Sequence, residues 1–96
     1  MLTQKGITLT DRIKRVEGNI VSDMDGEKVM LSVKNGKYYN LGEIGGSIWE
    51  LLDSTVEVND LVQKLMEEFH VERDECETQT THFLNHLLQE GLVELT

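Results

Sequence analysis

Residues 19–41 have the sequence NIVSDMDGEKVMLSVKNGKYYNL, and this stretch decides the fold. It divides into three short runs that contain β-branched and aromatic residues, separated by Asp25-Gly26 and by Lys34-Asn35-Gly36. Asp-Gly and Asn-Gly supply the positive φ angles that tight hairpin turns require. The stretch therefore predicts two hairpins in series, which together form a three-stranded antiparallel sheet.

Alternation along these runs indicates which face of the sheet is covered. Successive residues of a strand point to opposite faces. One face of the second run is entirely apolar and consists of Val29, Leu31 and Val33. We expect this set to point into the protein. In the third run, Tyr39 and Leu41 share a face.

The segment before the sheet is harder to assign. Residues 7–16, ITLTDRIKRV, alternate in places between apolar and polar. Three alternatives stay open, namely a strand, a loose lead-in over residues 1–18 or a disordered arm. A chain of 96 residues is too short for two good cores, so a single domain over residues 1–96 is expected.

After Leu41 the apolar residues follow the period of a helix. A first helix is predicted between Gly42 and Asp53-Ser54. A second, amphipathic helix is predicted from residues that repeat at helical spacing: Val58, Leu61, Val62, Leu65, Met66 and Phe69. A third helix is predicted from about Asp74 to the residues before Gly91, with Leu92-Val93 as a short apolar tail. The order is that of an α+β fold, a three-stranded antiparallel sheet followed by three helices.

The charge of the chain disfavours nucleic acid as a partner. The formal net charge is −9, and a surface this negative repels phosphate backbones and anionic lipids. A sheet and three helices can also form a winged helix, so DNA binding is a more remote alternative. Between Glu43 and Thr96, however, the basic residues are Lys64 and Arg73 alone, too few to neutralise several phosphates.

Membrane insertion and secretion are also not expected. No run approaches the roughly 20 apolar residues that span a bilayer. The first residues, MLTQKGITLTDRIKR, lack the charged and then apolar order of a secretory signal. A cytoplasmic protein is therefore expected.

Side chains that could carry catalysis or bind metal are sparse. His82 and His86 lie four residues apart on one predicted helix face, a spacing used in zinc sites, but a third ligand is missing. Cys76 is the single cysteine, which excludes an intrachain disulfide. Asp74 and Glu75 suit the first turn of a helix without any substrate. We therefore expect no enzymatic activity, no cofactor and no metal.

The third run of the sheet, KYYNL, is open to strand addition. Lys37 is its single charged residue and it contains no proline, so it lacks the features that protect sheet edges. If this run lies at the edge, its free N–H and C=O groups are available to another extended chain.

Three stretches taken together resemble the PqqD-like peptide chaperones, also called RiPP recognition elements. They are YYNLGEIGGSIWELLD at 38–53, VNDLVQKLMEEFHV at 58–71 and FLNHLLQEGLVEL at 83–95, within a match from about Val29 to Leu95. Two departures concern local detail, since Gly42 and Gln79 replace the Asn and Asp that are common in the family. The resemblance implies a winged helix-turn-helix-like fold.

The resemblance also implies a function and partners. Members bind the leader of a ribosomally synthesised precursor peptide, which adds antiparallel to the third strand and lies between that strand and the third helix. The chain looks most like the free-standing recognition proteins of lasso peptide biosynthesis, which present the precursor to a leader peptidase and a cyclase. The alternative is a chaperone partner of a radical-SAM peptide-modifying enzyme.

Carried onto this sequence, the resemblance gives a set of candidate peptide-binding residues. The third strand supplies backbone hydrogen bonds from Lys37, Tyr38, Tyr39, Asn40 and Leu41. The third helix is expected to carry a core stripe with Thr80, Phe83 and Leu87. An offset stripe is expected to form the other wall of the groove: Thr81, Leu84, Asn85 and Leu88. Glu77, near the mouth, is expected to attract a basic leader.

Overall fold

Within residues 6–25 and 27–96, which the computed structural model describes, the chain forms six strands and three helices. The strands are β1 (Arg12–Arg15), β2 (Asn19–Met24), β3 (Glu27–Ser32), β4 (Lys37–Leu41), β5 (Val56–Glu57) and β6 (Val93–Leu95). The helices are α1 (Gly42–Leu51), α2 (Val58–Phe69) and α3 (Arg73–Gln89). The predicted order of a sheet followed by three helices is therefore present, with additional short strands.

The meander predicted from residues 19–41 is confirmed. Strands β2, β3 and β4 form an antiparallel sheet in that order, with Met30 paired to Val21 on one side and to Tyr39 on the other. The turns use the expected backbone, since φ is +57° at Asp25 and +67° at Gly36. Gly26, the second residue of the predicted first turn, lies outside the described residues.

The prediction that Val29, Leu31 and Val33 point into the protein is wrong. Met30 and Ser32 are buried, whereas Val33 is 62% exposed. Met30 meets the helices because its cross-strand neighbours Val21 and Tyr39 pack against the same core. Burial of Ser32 costs little because its Oγ accepts a hydrogen bond from the backbone N–H of Asn35 (3.2 Å).

A second sheet, not predicted from the sequence, joins the two ends of the described chain. Its order is β5-β1-β6, so β1 is central, and Ile13 within it is fully buried. The Val16 N–H donates to the Leu92 carbonyl (2.9 Å), and the Thr96 N–H donates to the carbonyl of Arg12 (3.1 Å). Of the alternatives left open for residues 7–16, a strand is observed for β1. The predicted apolar tail, Leu92-Val93, is buried against it.

The three helices lie close to their predicted bounds. The α2 helix ends at Phe69, and its C-cap residue His70 has a left-handed backbone (φ +54°). Beyond α3, Gly91 has a φ of +76°, as a residue that follows a helix often does. The α3 helix begins at Arg73, one residue before the predicted start, so Asp74 lies in its first turn and Glu72 occupies the N-cap position.

Close approach of α1 to β3 depends on a glycine. A Cβ at Gly46 would lie 2.9 Å from Cγ of Lys28, which is closer than carbon atoms pack. The Lys28 ammonium lies 3.0 Å from a carboxylate oxygen of Asp23 and 3.1 Å from one of Glu50. The lysine stem therefore lies flat between strand and helix while its charged end is paired at the surface.

The buried apolar side chains come from both sheets and all three helices. They form one cluster: Ile7, Ile13, Met30, Leu41, Ile48, Trp49, Leu52, Val58, Leu61, Val62, Leu65, Cys76, Leu84, Leu87, Leu92 and Val93. Among the described residues, no helix is both long and apolar enough to cross a bilayer.

Replacement of Ile13 by Ala should test whether β1 is part of this core. We expect Ile13→Ala to lower the free energy of unfolding by about 2–5 kcal/mol, because it leaves a cavity at a fully buried position. Ile20→Ala, at a strand residue that is 54% exposed, is the matched control and should have a much smaller effect. Urea denaturation of both variants measures the difference, and equal effects would contradict the central position of β1.

Candidate functional site

Strand β4 is an edge of the β2-β3-β4 sheet, as the sequence predicted. One side of β4 pairs with β3, and no described strand pairs with its other side. In an antiparallel pair, residues alternate between directing their N–H and C=O groups towards one neighbour and towards the other. The resemblance implied backbone hydrogen bonds to a guest from all five residues of Lys37–Leu41. Alternate residues of the strand direct their backbone groups to the free edge, so a guest strand can pair with those alone.

The side chains of β4 divide between the two faces of the sheet. Leu41 is buried, and Tyr39 points to the same side, towards the helices. Lys37 shares their parity and its ammonium approaches the end of α3. Tyr38, 74% exposed, and Asn40 lie on the opposite face. Of the five predicted residues, three therefore have side chains on the helical side, where a groove could form.

A polar cluster joins β4 to the C-terminal end of α3. The Tyr39 hydroxyl donates to Oε1 of Glu90 at 2.7 Å, and the Lys37 ammonium lies 3.6 Å from the same oxygen. Asn35, in the turn before β4, donates from Nδ2 to the backbone carbonyl of Glu90 (3.0 Å). The hydrogen bond from Tyr39 and the charge of Lys37 lower the pKa of the Glu90 carboxyl. These contacts fix the distance between strand and helix at this end.

At the other end of β4 an apolar pocket opens between α1 and α3. Its volume is about 430 Å³, and it is lined by Ile44, Gly45, Ile48, Thr78, Gln79, His82, Phe83 and His86. A Cβ on Gly45 would lie 2.9 Å from Cζ of Phe83 and 3.4 Å from Cβ of Leu41. Gly45 therefore lets the Phe83 ring lie against α1, next to the end of β4.

The stripe of α3 predicted to form the groove wall does not lie beside β4. Leu84 is fully buried in the core, and Leu88 packs against the same core. Asn85 accepts a hydrogen bond from the backbone N–H of Ile7 (3.0 Å) through Oδ1. Thr81 lines a separate surface hollow together with residues 7–10. The N-terminal segment, which the sequence left unassigned, covers this side of the helix.

The predicted roles of Phe83 and Leu84 on α3 are therefore exchanged. Phe83, expected in the core stripe, is half-buried and lines the pocket, whereas Leu84, expected in the wall, is core. Each residue turns a helix by about 100°, so an error of one position moves the wall to another face. The signal that could have identified the pocket-lining face of α3 is the helical spacing of Gln79, His82, Phe83 and His86.

Glu77 was a candidate for peptide binding, and the pair His82 and His86 was considered as a metal site. Glu77 pairs with Arg73 on its own helix and borders the hollow beside residues 7–10, away from β4. His82 and His86 are both exposed at the rim of the apolar pocket. In the part of the chain that the structure describes, no three His, Cys, Asp or Glu residues are grouped as metal ligands.

Comparison with known proteins identifies the family. Residues 27–93 match the family model described as coenzyme PQQ synthesis protein D, PqqD. The chain belongs to the PqqD family. The resemblance drawn from the sequence is thereby confirmed. No curated protein matches the chain.

Solved structures extend the comparison with the PqqD family. TbiB1 in complex with the TbiA(beta) leader peptide is 28% identical, with a TM-score of 0.75 over 84% of this chain and 94% of that one. A lasso peptide synthetase B1 complexed with the leader peptide is 22% identical, with a TM-score of 0.68 over 85% and 96%.

A third structure is from the PqqD family itself. The solution structure of the PqqD truncation of Methylobacterium extorquens PqqCD is described as a functional and stand-alone RiPP recognition element. It is 17% identical to this chain, with a TM-score of 0.76 over 91% of this chain and 93% of that one. The predicted α+β, winged helix-turn-helix-like fold is confirmed by this similarity.

The contact between Tyr39 and Glu90 should be visible as a pH dependence. The pKa of Glu90 in the folded protein lies below its ordinary value of 4.5, so the contact stabilises the fold fully above that pH. This contribution is lost as the pH falls through the lowered pKa. In Tyr39→Phe we expect the Glu90 pKa to rise towards 4.5, as followed by carboxyl NMR shifts. An unchanged Glu90 pKa in Tyr39→Phe would contradict the role of the Tyr39 hydroxyl.

Proposed function

We propose that this chain is a non-catalytic recognition protein, which binds the leader of a ribosomally synthesised precursor peptide as an additional strand beside β4. The observation that carries the proposal is the free edge of β4 next to an apolar pocket of α1 and α3. Exposed edges of this kind accept extended peptides, with main-chain bonds for affinity and side-chain pockets for specificity. Similarity to TbiB1, which was solved with a leader peptide, supports the same ligand class.

The other free edge of the sheet is a poorer site. Strand β2 carries Asp23, whose carboxylate is paired with Lys28, and its exposed residues Ile20 and Met24 do not line the apolar pocket between α1 and α3. Strand β4 combines its edge with a pocket at one end and the Glu90 cluster at the other. A guest strand beside β4 is therefore in reach of side-chain contacts that β2 does not offer.

Affinity and selectivity come from different parts of this site. Each backbone hydrogen bond to a guest contributes on the order of 1 kcal/mol, and such bonds do not depend on the guest's side chains. The pocket beside Phe83 can exclude water around an apolar guest residue, at roughly 25 cal/mol per Å² of buried apolar surface. We propose Tyr39, Leu41, Phe83 and Ile44 as the residues that select the guest.

The pathway and the partner enzymes are part of the proposal. Similarity to TbiB1, solved with a leader peptide, and to a lasso peptide synthetase B1 supports lasso peptide biosynthesis, in which the bound precursor is presented to a leader peptidase and a cyclase. PqqD family membership favours the alternative partner, a radical-SAM peptide-modifying enzyme. We propose a cytoplasmic location for either pathway, because the precursor is made on ribosomes in that compartment. A peptidase gene or a radical-SAM gene beside this one would decide between them.

Amide shifts on titration with the cognate leader peptide test strand addition. We expect the largest changes, with slowed amide exchange, at residues 37–41, because their edge groups gain hydrogen-bond partners. Residues 19–24 of β2, the other edge of the same sheet, are the internal control. Larger changes in β2 than in β4 would contradict the proposed site.

A pair of α3 variants distinguishes the groove wall proposed here, on the side of Phe83, from the wall implied by the family resemblance, on the side of Thr81. Phe83→Ala should weaken leader binding by about tenfold, because Phe83 lines the pocket and anchors of this kind dominate binding energies. Thr81→Ala, on the side covered by residues 7–10, should leave the affinity within about twofold. Isothermal titration calorimetry measures both, with thermal melting as a check on folding. The reverse order of effects would return the groove to the Thr81 side.

A further inference from the structure

A surface hollow lies between α3 and the segment of residues 7–10, on the side of the helix away from β4. Its volume is about 480 Å³, and it is lined by residues 7–10 and by Glu77, Thr78 and Thr81. Four of these side chains are threonines and one is a carboxylate, so the hollow is more polar than the pocket beside Phe83. Strand addition at β4 leaves this hollow unused.

Hydrogen bonds hold the segment of residues 7–10 against the helices. The Ile7 N–H donates to Asn85 of α3 (3.0 Å), and the Leu9 carbonyl accepts from the N–H of Asn59 in the first turn of α2 (2.9 Å). Ile7 is also buried in the core, at 7% exposure. The segment is therefore a fixed wall, and the hollow is formed before any guest arrives, as ligand sites usually are.

The hollow and the apolar pocket are neighbours on α3, since Thr78 lines both. The Thr78 side chain is short, and its Oγ1 donates to the Asp74 carbonyl one turn earlier (3.0 Å). The Thr81 hydroxyl likewise donates to the carbonyl of Glu77 (2.8 Å). Both hydroxyls are thus turned along their own helix. The ridge between the two cavities is low, and one extended peptide can cross it.

The direction of a guest on β4 decides which part of it reaches the hollow. The β2-β3-β4 sheet is antiparallel, and antiparallel pairing is the more stable kind per residue. A guest antiparallel to β4 has its N-terminal side at Leu41, the end of the strand where the apolar pocket opens. Guest residues N-terminal to the strand-paired segment therefore leave the edge at the pocket and continue towards Thr78 and the hollow.

The charges beside the hollow favour a basic occupant. Residues 72–77, ERDECE, hold four carboxylates and one guanidinium. Glu77 pairs with Arg73, but their side chains are 27% and 42% exposed, and exposed pairs of this kind contribute little to stability. A guest cation can therefore take the place of Arg73 at the Glu77 carboxylate. The threonine hydroxyls of the hollow can accept further hydrogen bonds from an ammonium or guanidinium group.

We propose that the hollow is a second subsite for the leader, in which Glu77 binds a lysine or arginine N-terminal to the strand-paired segment. The inference rests on the proposed function and deepens it by naming the substrate class. Leaders of this class carry an apolar residue for the pocket and a basic residue before it. Residues 7–10 then form part of the binding surface.

The test is a calorimetric cycle with the full-length chain and two peptides. One is the leader encoded beside this gene, and the other is the same leader with the basic residues N-terminal to its strand-paired segment replaced by glutamine. Glu77→Gln removes the charge in the hollow, and Arg73→Gln removes the competing cation. Glu67→Gln, on α2, is the matched control, because that glutamate also has a partner four residues away, Gln63 (3.2 Å). Thermal melting checks that each variant folds.

We expect Glu77→Gln to weaken binding of the natural leader about threefold, and Arg73→Gln to strengthen it because Glu77 is then free for the guest. Neither variant should change the affinity for the glutamine-substituted leader, since the coupled charge is absent from it. Glu67→Gln should leave both affinities unchanged.

Three results would overturn the inference while leader recognition at β4 stands. They are no loss or equal losses for both peptides in Glu77→Gln, a weaker natural complex in Arg73→Gln, and a natural leader without a basic residue in that part. A parent chain that binds neither peptide would instead overturn the proposed function.

Discussion

The candidate site depends on the close packing of α1 between the sheet and α3, and two adjacent glycines make this packing possible. Gly46 lies over the stem of Lys28 on β3, and Gly45 lies against the ring of Phe83 on α3. A Cβ at either position would come within 3 Å of a neighbouring carbon. Because α1 contacts both neighbours this closely, the Phe83 ring reaches the end of β4 and the apolar pocket lies next to the sheet edge.

The electrostatics of the groove differ from those of the whole chain. The net charge is −9, yet the side chains lining the apolar pocket include no Asp, Glu, Lys or Arg. At the other end of β4, Glu90 is matched by Lys37 and by the hydroxyl of Tyr39. If the proposed peptide binds here, long-range attraction for a basic chain is separate from the neutral pocket surface. Steering would then act on the rate of encounter, and burial in the pocket on which sequence stays bound.

The elements predicted correctly are those that depend on residues close together in the sequence. The Asp-Gly and Asn-Gly turns gave the meander, and the spacing of apolar residues gave α2 almost to the residue. The edge position of β4 followed from the order of the strands. These features depend on neighbours within a few positions, so a single sequence contains them.

The features that the sequence did not predict depend on contacts between distant residues. Strand β1 pairs with residues about 80 positions away, and its four residues carry a weak alternation. The buried face of β3 is the face that α1 packs against, since Gly46 lies over the stem of Lys28 and Met30 shares that face. Residues 6–10 determine which face of α3 is accessible. The Ile7 N–H donates to Asn85, and this N-terminal segment covers a helix face that the helical pattern alone leaves open.

The small sheet formed by β5, β1 and β6 has a consequence for the modularity of the domain. The family match spans residues 27–93, so it leaves out β1, although β1 supplies the backbone partners of both β5 and β6. A segment excised at the limits of the match would expose Val93 and Leu92 and leave the Leu92 carbonyl without the Val16 N–H that donates to it. Transfer of this domain onto another protein therefore requires residues from about Ile7 onward, since β1 and β6 at the two ends of the described fold pair with each other.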